Sequence, residues 1–291
     1  MKKILITGAG GFIGIKLTEY LISCGYDVVP VDFADGDLRI DGVADYLIKS
    51  NQPDIVVHLA AQVGILFNEG NLVHSIESNV VMTLRVALAC QKYGVKMIHT
   101  STSEVYGDVG DRELDENEPL NGKVTGMYAL SKRWSEDVVK EYVSDYAIIR
   151  PSMPYGTGSP VGVGRRAMDN MLWQAHHRKQ IIVHKNSVRS WCHISDLCAG
   201  YEYIIRNNEN GIYNVGRDDD ERTMLEIAQR ACDLAGASYD LIVEVEPKEK
   251  KTMIKRLSTK KLQSLGWSPS VELEDGMKEL YEWVKRFKWK E

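Results

Sequence analysis

The sequence predicts an α/β protein with a doubly wound parallel sheet, on three observations. An apolar strand, Ile4-Leu5-Ile6-Thr7, runs straight into the glycines Gly8, Gly11 and Gly14, and these open a helix. A second apolar run, Val28 to Val31, ends on Asp32. Strand-like runs then alternate with helical patterns as far as residue 150, the order that lays helices over both faces of a parallel sheet.

The first strand begins at Lys2 or Lys3. Gly8 permits the tight turn that follows, Gly11 lets the backbone approach a pyrophosphate, and Gly14 lets helix and strand pack closely. Past the second strand the pattern reads as a helix over residues 42–50, a strand over 55–59 and a long helix over 71–93. A strand over 95–99, a helix over 128–143 and a strand over 147–150 complete the alternation. After Pro151, Gly/Pro/Ser-rich loops, short strands over 180–184 and 212–215, and short helices predict a smaller C-terminal α/β lobe. We expect a Rossmann-type dinucleotide-binding domain over residues 1–152 and the smaller lobe over 153–291. The boundary is blurred, because a later segment can return to the main sheet. No internal repeat or low-complexity segment is present.

At 291 residues the chain can bury a large core, and 44% hydrophobic with 26% charged residues is an ordinary globular composition. A net charge of −5 gives no electrostatic case for nucleic acid or an anionic membrane. The basic runs at 248–251 and 285–290 are interleaved with Glu or apolar residues and read as solvated surface. Five cysteines, never spaced as a CxxC pair, fit a reducing cytoplasm. No signal-peptide pattern precedes the first strand, and no apolar run is long enough to span a bilayer. His176, His177 and His184 stand in no metal-ligand pattern, so no metal is expected.

The glycine turn faces the free N–H groups and positive dipole end of the new helix toward phosphates. Asp32 falls where a carboxylate binds the adenosine ribose hydroxyls, and its charge repels a 2′-phosphate, which favours NAD over NADP. Farther on, Tyr128 and Lys132 share one helix face one turn apart. An ammonium near a phenol stabilises the phenolate, so Tyr128 is placed to take a hydroxyl proton as a hydride leaves the same carbon. The stretch Thr100-Ser101-Thr102-Ser103-Glu104 follows a strand, which clusters hydroxyls and a carboxylate beside the expected cofactor. Trp173, Trp191 and Trp267 are expected to pack the smaller lobe, with stacking of Trp191 on a base as the alternative.

Together these motifs resemble the extended short-chain dehydrogenase/reductases, in the nucleotide-sugar epimerase/dehydratase family. The resemblance runs over nearly the whole chain. It includes the glycine turn, Asp37-Leu38, His58-Leu59-Ala60-Ala61, Asn79, Ser101 to Gly107, Tyr128-x-x-x-Lys132, Arg150-Pro151 and Arg189-x-x-x-His193-x-x-Asp196. Tyr213-Asn214-Val215-Gly216 and the tail Leu265-Gly266-Trp267-x-Pro269 fit as well. It implies that Tyr128 is the base, that Lys132 orients it and the nicotinamide ribose, and that Thr102 bonds the reacting hydroxyl, with Ser103 and Glu104 beside it. It implies cofactor contacts from Gly8, Gly11, Phe12, Ile13, Gly14, Asp32, Phe33, Asp37, Leu38, Leu59, Ala60, Ala61, Asn79, Ser101 and Pro151, besides Tyr128 and Lys132. Arg189 and Arg256 fall where the family holds the sugar-nucleotide diphosphate, which makes the smaller lobe the nucleotide-sugar lobe.

The family's shared reaction is internal redox: bound NAD oxidises the sugar at C4, and the ketone acidifies neighbouring C–H bonds. In the related 4,6-dehydratases that keep a Thr-x-Glu triplet, the Glu is a base toward the C5 proton. This singles out Glu104, which is an apt base if burial raises its pKa. Dehydratase or epimerase is therefore expected, with a UDP-glucuronate decarboxylase-like enzyme or an epimerase-reductase as alternatives and a non-catalytic NAD-binding sensor more distant. Three departures from the family pattern stand out: the short chain between Asp32 and Asp37, Met153 in place of an Asn, and the brief segment from Gly156 to Arg166. The loop from Ala60 to Ile65 is similar to that of GDP-fucose synthase. Family members dimerise through the helices expected here at 71–93 and 128–143, which implies a homodimer with a four-helix bundle. Val81, Leu84, Leu88, Val138 and Val139 either supply that bundle or face the sheet.

Overall fold

Alternation along β1 (Lys3–Thr7) sets the two faces of the main sheet. Ile4 and Ile6 enter one hydrophobic cluster and Leu5 the other, as the two-residue period of a strand requires. In the computed structural model, which describes residues 1–64, 70–124, 126–158, 166–247 and 253–286, β1 lies between β2 (Asp27–Val31) and β3 (Ile55–His58). Beyond β3 come β4 (Lys96–Thr100), β6 (Tyr146–Pro151) and β11 (Gly211–Val215), all paired in parallel. The chain steps from β1 to β2 on one side and then crosses back to β3 on the other. That reversal opens a crevice above the carboxyl ends of β1 and β3. Residues 65, 159–165, 248–251 and 287–290, which carry parts of the loop, the brief segment and the basic runs noted above, lie outside the described residues.

Helices cover both faces, as expected of a doubly wound sheet. The Ile4 face packs on α1 (Phe12–Ser23) and α7 (Ile194–Asn207) through Leu17, Leu21, Leu197, Tyr201 and Ile204. The Leu5 face packs on α2 (Val43–Asn51), α4 (Met82–Tyr93) and α5 (Met127–Tyr142) through Leu47, Val86, Cys90 and Val139. The helix expected at 71–93 is not uniform: α3 (Leu72–Ile76) passes through a π-helical stretch, Glu77–Val81, into α4. A π-turn admits one extra residue per turn and re-aims its side chains, and here it contains the buried Asn79. Val139 faces the sheet, whereas Leu88, Trp134 and Tyr142 stay exposed on the outer surfaces of α4 and α5.

Between Asp32 and Asp37 the chain makes only a 3-10 turn, Phe33–Asp35, so β2 is the edge of the sheet. Pro30 sits within it, a residue an edge strand accepts. At the opposite edge β11 joins β6, so a late segment completes the main sheet. A second apolar cluster gathers α6 (Ala167–His176), α8 (Met224–Ala235) and α10 (Leu273–Val284) with the pair β8 (Ile181–His184) and β13 (Ile242–Val245). Trp173 and Trp191 pack there. Trp267 does not: it joins the main-sheet cluster beside Leu262 and Tyr201, because β11 and α7 carry the tail back to that sheet. A small sheet between the lobes orders β12 (Arg222–Thr223), β9 (Val188–Arg189), β14 (Ile254–Leu257) and β5 (Glu113–Leu114). All five cysteines are free, four of them buried, and no described helix is long and apolar enough to cross a membrane.

Candidate active site

The glycine turn is built by close approach. Gly8 takes a left-handed φ of 71°, and a Cβ there would stand 2.7 Å from the Ala60 nitrogen. A Cβ on Gly14 would come within 2.7 Å of the Ala9 Cα, so strand end and helix start touch backbone to backbone. Gly10, which the spacing argument passed over, is less constrained: a Cβ would meet only the exposed Asp32 carboxylate, a side chain that can turn away. The clue lay in the unbroken run Gly8-Ala9-Gly10-Gly11.

Above this turn lies a cleft of about 890 Å³, large enough for a dinucleotide. One end is walled by Gly8, the run Gly10–Gly14, Asp32, Phe33, Asp37, Leu38 and Leu59–Ala61. The other is walled by Thr100–Thr102, Tyr128, Lys132 and Pro151. A glycine cradle that a Cβ would fill, a helix start and a carboxylate at the ribose end fit NAD. Asp37 is committed to Arg39, which donates to it from Nε at 2.9 Å and from Nη2 at 2.7 Å and holds its carboxyl below the usual range. Arg39 also meets His74 Nδ1 at 3.0 Å. Both residues line the cleft and carry no motif, so the sequence did not single them out.

Five expected site residues lie off the cleft wall. Asn79, on the π-stretch, accepts from Gln62 N at 2.7 Å and donates to Ser131 Oγ at 3.0 Å; it shapes the loop after β3. Ser103 and Glu104 lie in a buried 3-10 turn, Ser103–Tyr106, capped by the Thr102 hydroxyl. Arg189 donates to the carbonyls of Val188 at 2.8 Å and Met253 at 2.7 Å, with its charge facing Glu104. Arg256 turns outward to Asp111 at 2.6 Å and to Glu221. Strand alternation explains this correction: Leu257 is inward on β14, so Lys255 shares its face and Arg256 does not.

Lys255 is thus the cation that β14 delivers, buried and ion-paired with Glu104. The expected rise in the Glu104 pKa does not occur. Burial is the largest influence and pushes that carboxyl up, but the Lys255 charge, its hydrogen bond to Glu104 and the Arg189 charge together outweigh it, and the net direction is down.

The Tyr128 phenol hydrogen-bonds the Thr102 side chain and is pushed up to about 12, by burial first and the Glu104 charge second. Lys132 donates from Nζ to the Thr100 carbonyl at 2.8 Å, and burial brings its pKa down to about 8. Burial therefore dominates the phenol, and Lys132 directs one N–H to the Thr100 carbonyl. Beneath them Ser101 donates to Glu136 at 2.5 Å, which joins the Thr100–Thr102 segment to the helix that carries Tyr128 and Lys132.

Fold and cleft define a dinucleotide-dependent enzyme of the extended short-chain dehydrogenase/reductase type. The chain belongs to the NAD dependent epimerase/dehydratase family, which matches residues 4–216, and its cofactor is NAD. It is 29% identical to a putative UDP-glucose 4-epimerase of Methanocaldococcus jannaschii, across 97% of this chain and 98% of that one. It is 28% identical to the trifunctional UDP-glucose 4,6-dehydratase/UDP-4-keto-6-deoxy-D-glucose 3,5-epimerase/UDP-4-keto-L-rhamnose-reductase of Arabidopsis thaliana, over 97% of this chain but 47% of that protein. In fold it resembles the Thermus thermophilus UDP-glucose 4-epimerase solved with NAD, with TM-score 0.87, 24% identity and coverage of 98% and 99% of the two chains.

Proposed function

We propose that the protein modifies a nucleotide-diphosphate sugar by oxidation at C4 to a 4-keto intermediate, as a 4,6-dehydratase or an epimerase. The observation that carries this is the hydrogen-bonded pair Thr102 and Tyr128 at one end of the cleft, with Lys132 one helical turn away. Thr102 holds the C4 hydroxyl, and Tyr128 takes its proton as the C4–H bond breaks. NAD supplies the hydride acceptor and a positive ring that lowers the phenol's pKa. Lys132 keeps Thr100 and the loop behind Thr102 in place.

One observation favours the dehydratase form. A base for the C5 proton must be ionised, and Lys255 and Arg189 together favour the charged form of the partly buried Glu104. The reading includes an NAD-binding domain over residues 1–152 and a nucleotide-sugar lobe beyond it that lends β11 and α7 to the main sheet. It also includes a homodimer through α4 and α5, supported by the exposed Leu88, Trp134 and Tyr142. A reducing cytoplasm is supported by five free cysteines.

The test is mass spectrometry of the protein with NAD and a panel of UDP-, GDP-, CDP- and dTDP-sugars. Loss of water establishes a dehydratase. Inversion at C4 without a mass change, seen by NMR, establishes an epimerase. Loss of carbon dioxide from a uronate points to a decarboxylase, and consumption of added reduced cofactor points to a reductase. Binding without turnover would overturn the enzymatic reading in favour of a sensor.

A further inference from the structure

Arg166 comes from the C-terminal half of the chain, yet it lines the cleft beside the glycine turn. Its guanidinium carbon lies 3.9 Å from the centroid of the Phe12 ring, and Phe12 is the first residue of α1. Two of its three nitrogens are committed: Nη1 donates to the Gly156 carbonyl at 3.2 Å, and Nε ion-pairs with the fully buried Asp169. The third, Nη2, is buried with no hydrogen-bond partner.

A buried guanidinium nitrogen without an acceptor is costly, and buried donors in folded proteins are nearly always satisfied. Asp169 fixes the fork from behind and the Phe12 face supports it, so little side-chain freedom remains to be lost on binding. The neighbouring segment also lies over α1: a Cβ on Gly158 would collide with the Lys16 side chain. The strongest acceptor brought to the N-terminus of α1 is a diphosphate bridge.

We propose that Arg166 is a diphosphate clamp, in which Nη2 closes on a phosphate oxygen above Phe12 and ties the C-terminal half of the chain to the bound nucleotide. The bridge is that of NAD or that of the sugar nucleotide. The inference concerns binding, so it stands apart from which reaction follows.

Calorimetric titration of R166M with ADP-ribose, UDP and adenosine tests it. Loss of one charge-assisted bond weakens diphosphate binding about 10- to 100-fold. A fall for ADP-ribose with UDP unchanged assigns the clamp to the cofactor, and the reverse assigns it to the sugar nucleotide. Adenosine, which carries no phosphate, is expected to bind as to the wild type. The proposal is overturned if both diphosphates bind within about twofold of wild type, or if adenosine weakens as much as they do. Should R166M not fold, R166K keeps the charge but loses the fork. An intermediate loss for a diphosphate with adenosine unchanged supports the clamp, and unchanged affinities for both diphosphates overturn it.

Discussion

Arg150 and Glu136 form a forked ion pair in the core, with Nε donating to one carboxylate oxygen at 2.9 Å and Nη2 to the other at 2.6 Å. Both side chains are almost completely buried. Glu136 also receives the Ser101 hydroxyl, and Arg150 donates to the Tyr106 hydroxyl at 2.9 Å. The pair therefore fastens the Thr102 loop to the Tyr128 helix. Arg150→Met leaves a buried carboxylate uncompensated, and we expect a loss of about 3–5 kcal/mol in urea unfolding. A loss under about 1 kcal/mol would show that water or Lys140 takes over the role.

Tyr128→Phe removes the phenol proposed as the base and keeps the ring. Turnover is expected to vanish while NAD still binds within about threefold of wild type. Full activity in this variant sinks the catalytic assignment.

The Lys132 pKa of about 8 lies below that of an unfolded lysine. Between that value and the unfolded value near 10.5 the unfolded chain holds more protons, so this group's contribution to stability rises with pH across the window. Below pH 8 burial of the charge opposes folding in full. Lys132→Met is expected to melt higher than wild type at about pH 7 when cofactor-free, with the gap narrowing toward about pH 10. A gap that widens with pH would contradict this assignment.

Glu104→Gln is expected to spare C4 oxidation and stop the later step, so at most one 4-keto sugar forms per bound NAD, with the reduced cofactor beside it, and no product follows. Lys255→Met should displace the rising limb of the product pH profile upward, because burial then governs the carboxyl. Unchanged product formation by both variants means a plain epimerase.

Gly10→Ala brings a methyl group against the Asp32 carboxylate. The carboxylate is at an exposed turn and can move aside. We therefore expect a nearly unchanged melting temperature but NAD binding about tenfold weaker, read by calorimetry. Equal affinity would separate Asp32 from ribose recognition.

Local features were legible in the sequence. The turn at Gly8, the strand pattern around it and the Tyr128–Lys132 spacing each lie within one or two elements, so periodicity and turn chemistry reveal them. What escaped depends on distant segments meeting. Lys255 reaches Glu104 from the small sheet, and Arg166 reaches Phe12 only because the C-terminal half folds over α1. The cation that β14 turns inward is Lys255 and not Arg256, since in a strand one position reverses the face. Asn79 was noted by resemblance, but the π-stretch that aims it at Gln62 left no periodic trace.

The open border of the sheet has its own consequence. Asp27 donates its N–H toward β1, to the Lys2 carbonyl at 3.2 Å. By the alternation of a strand, Pro30 then has its nitrogen on the outer side, where β1 loses no bond. The same ring denies a hydrogen-bond donor to any foreign strand that would align there. A chain that ends its sheet early in this way keeps its exposed border from seeding self-assembly, and Pro30→Val would remove that guard while leaving β1 pairing intact.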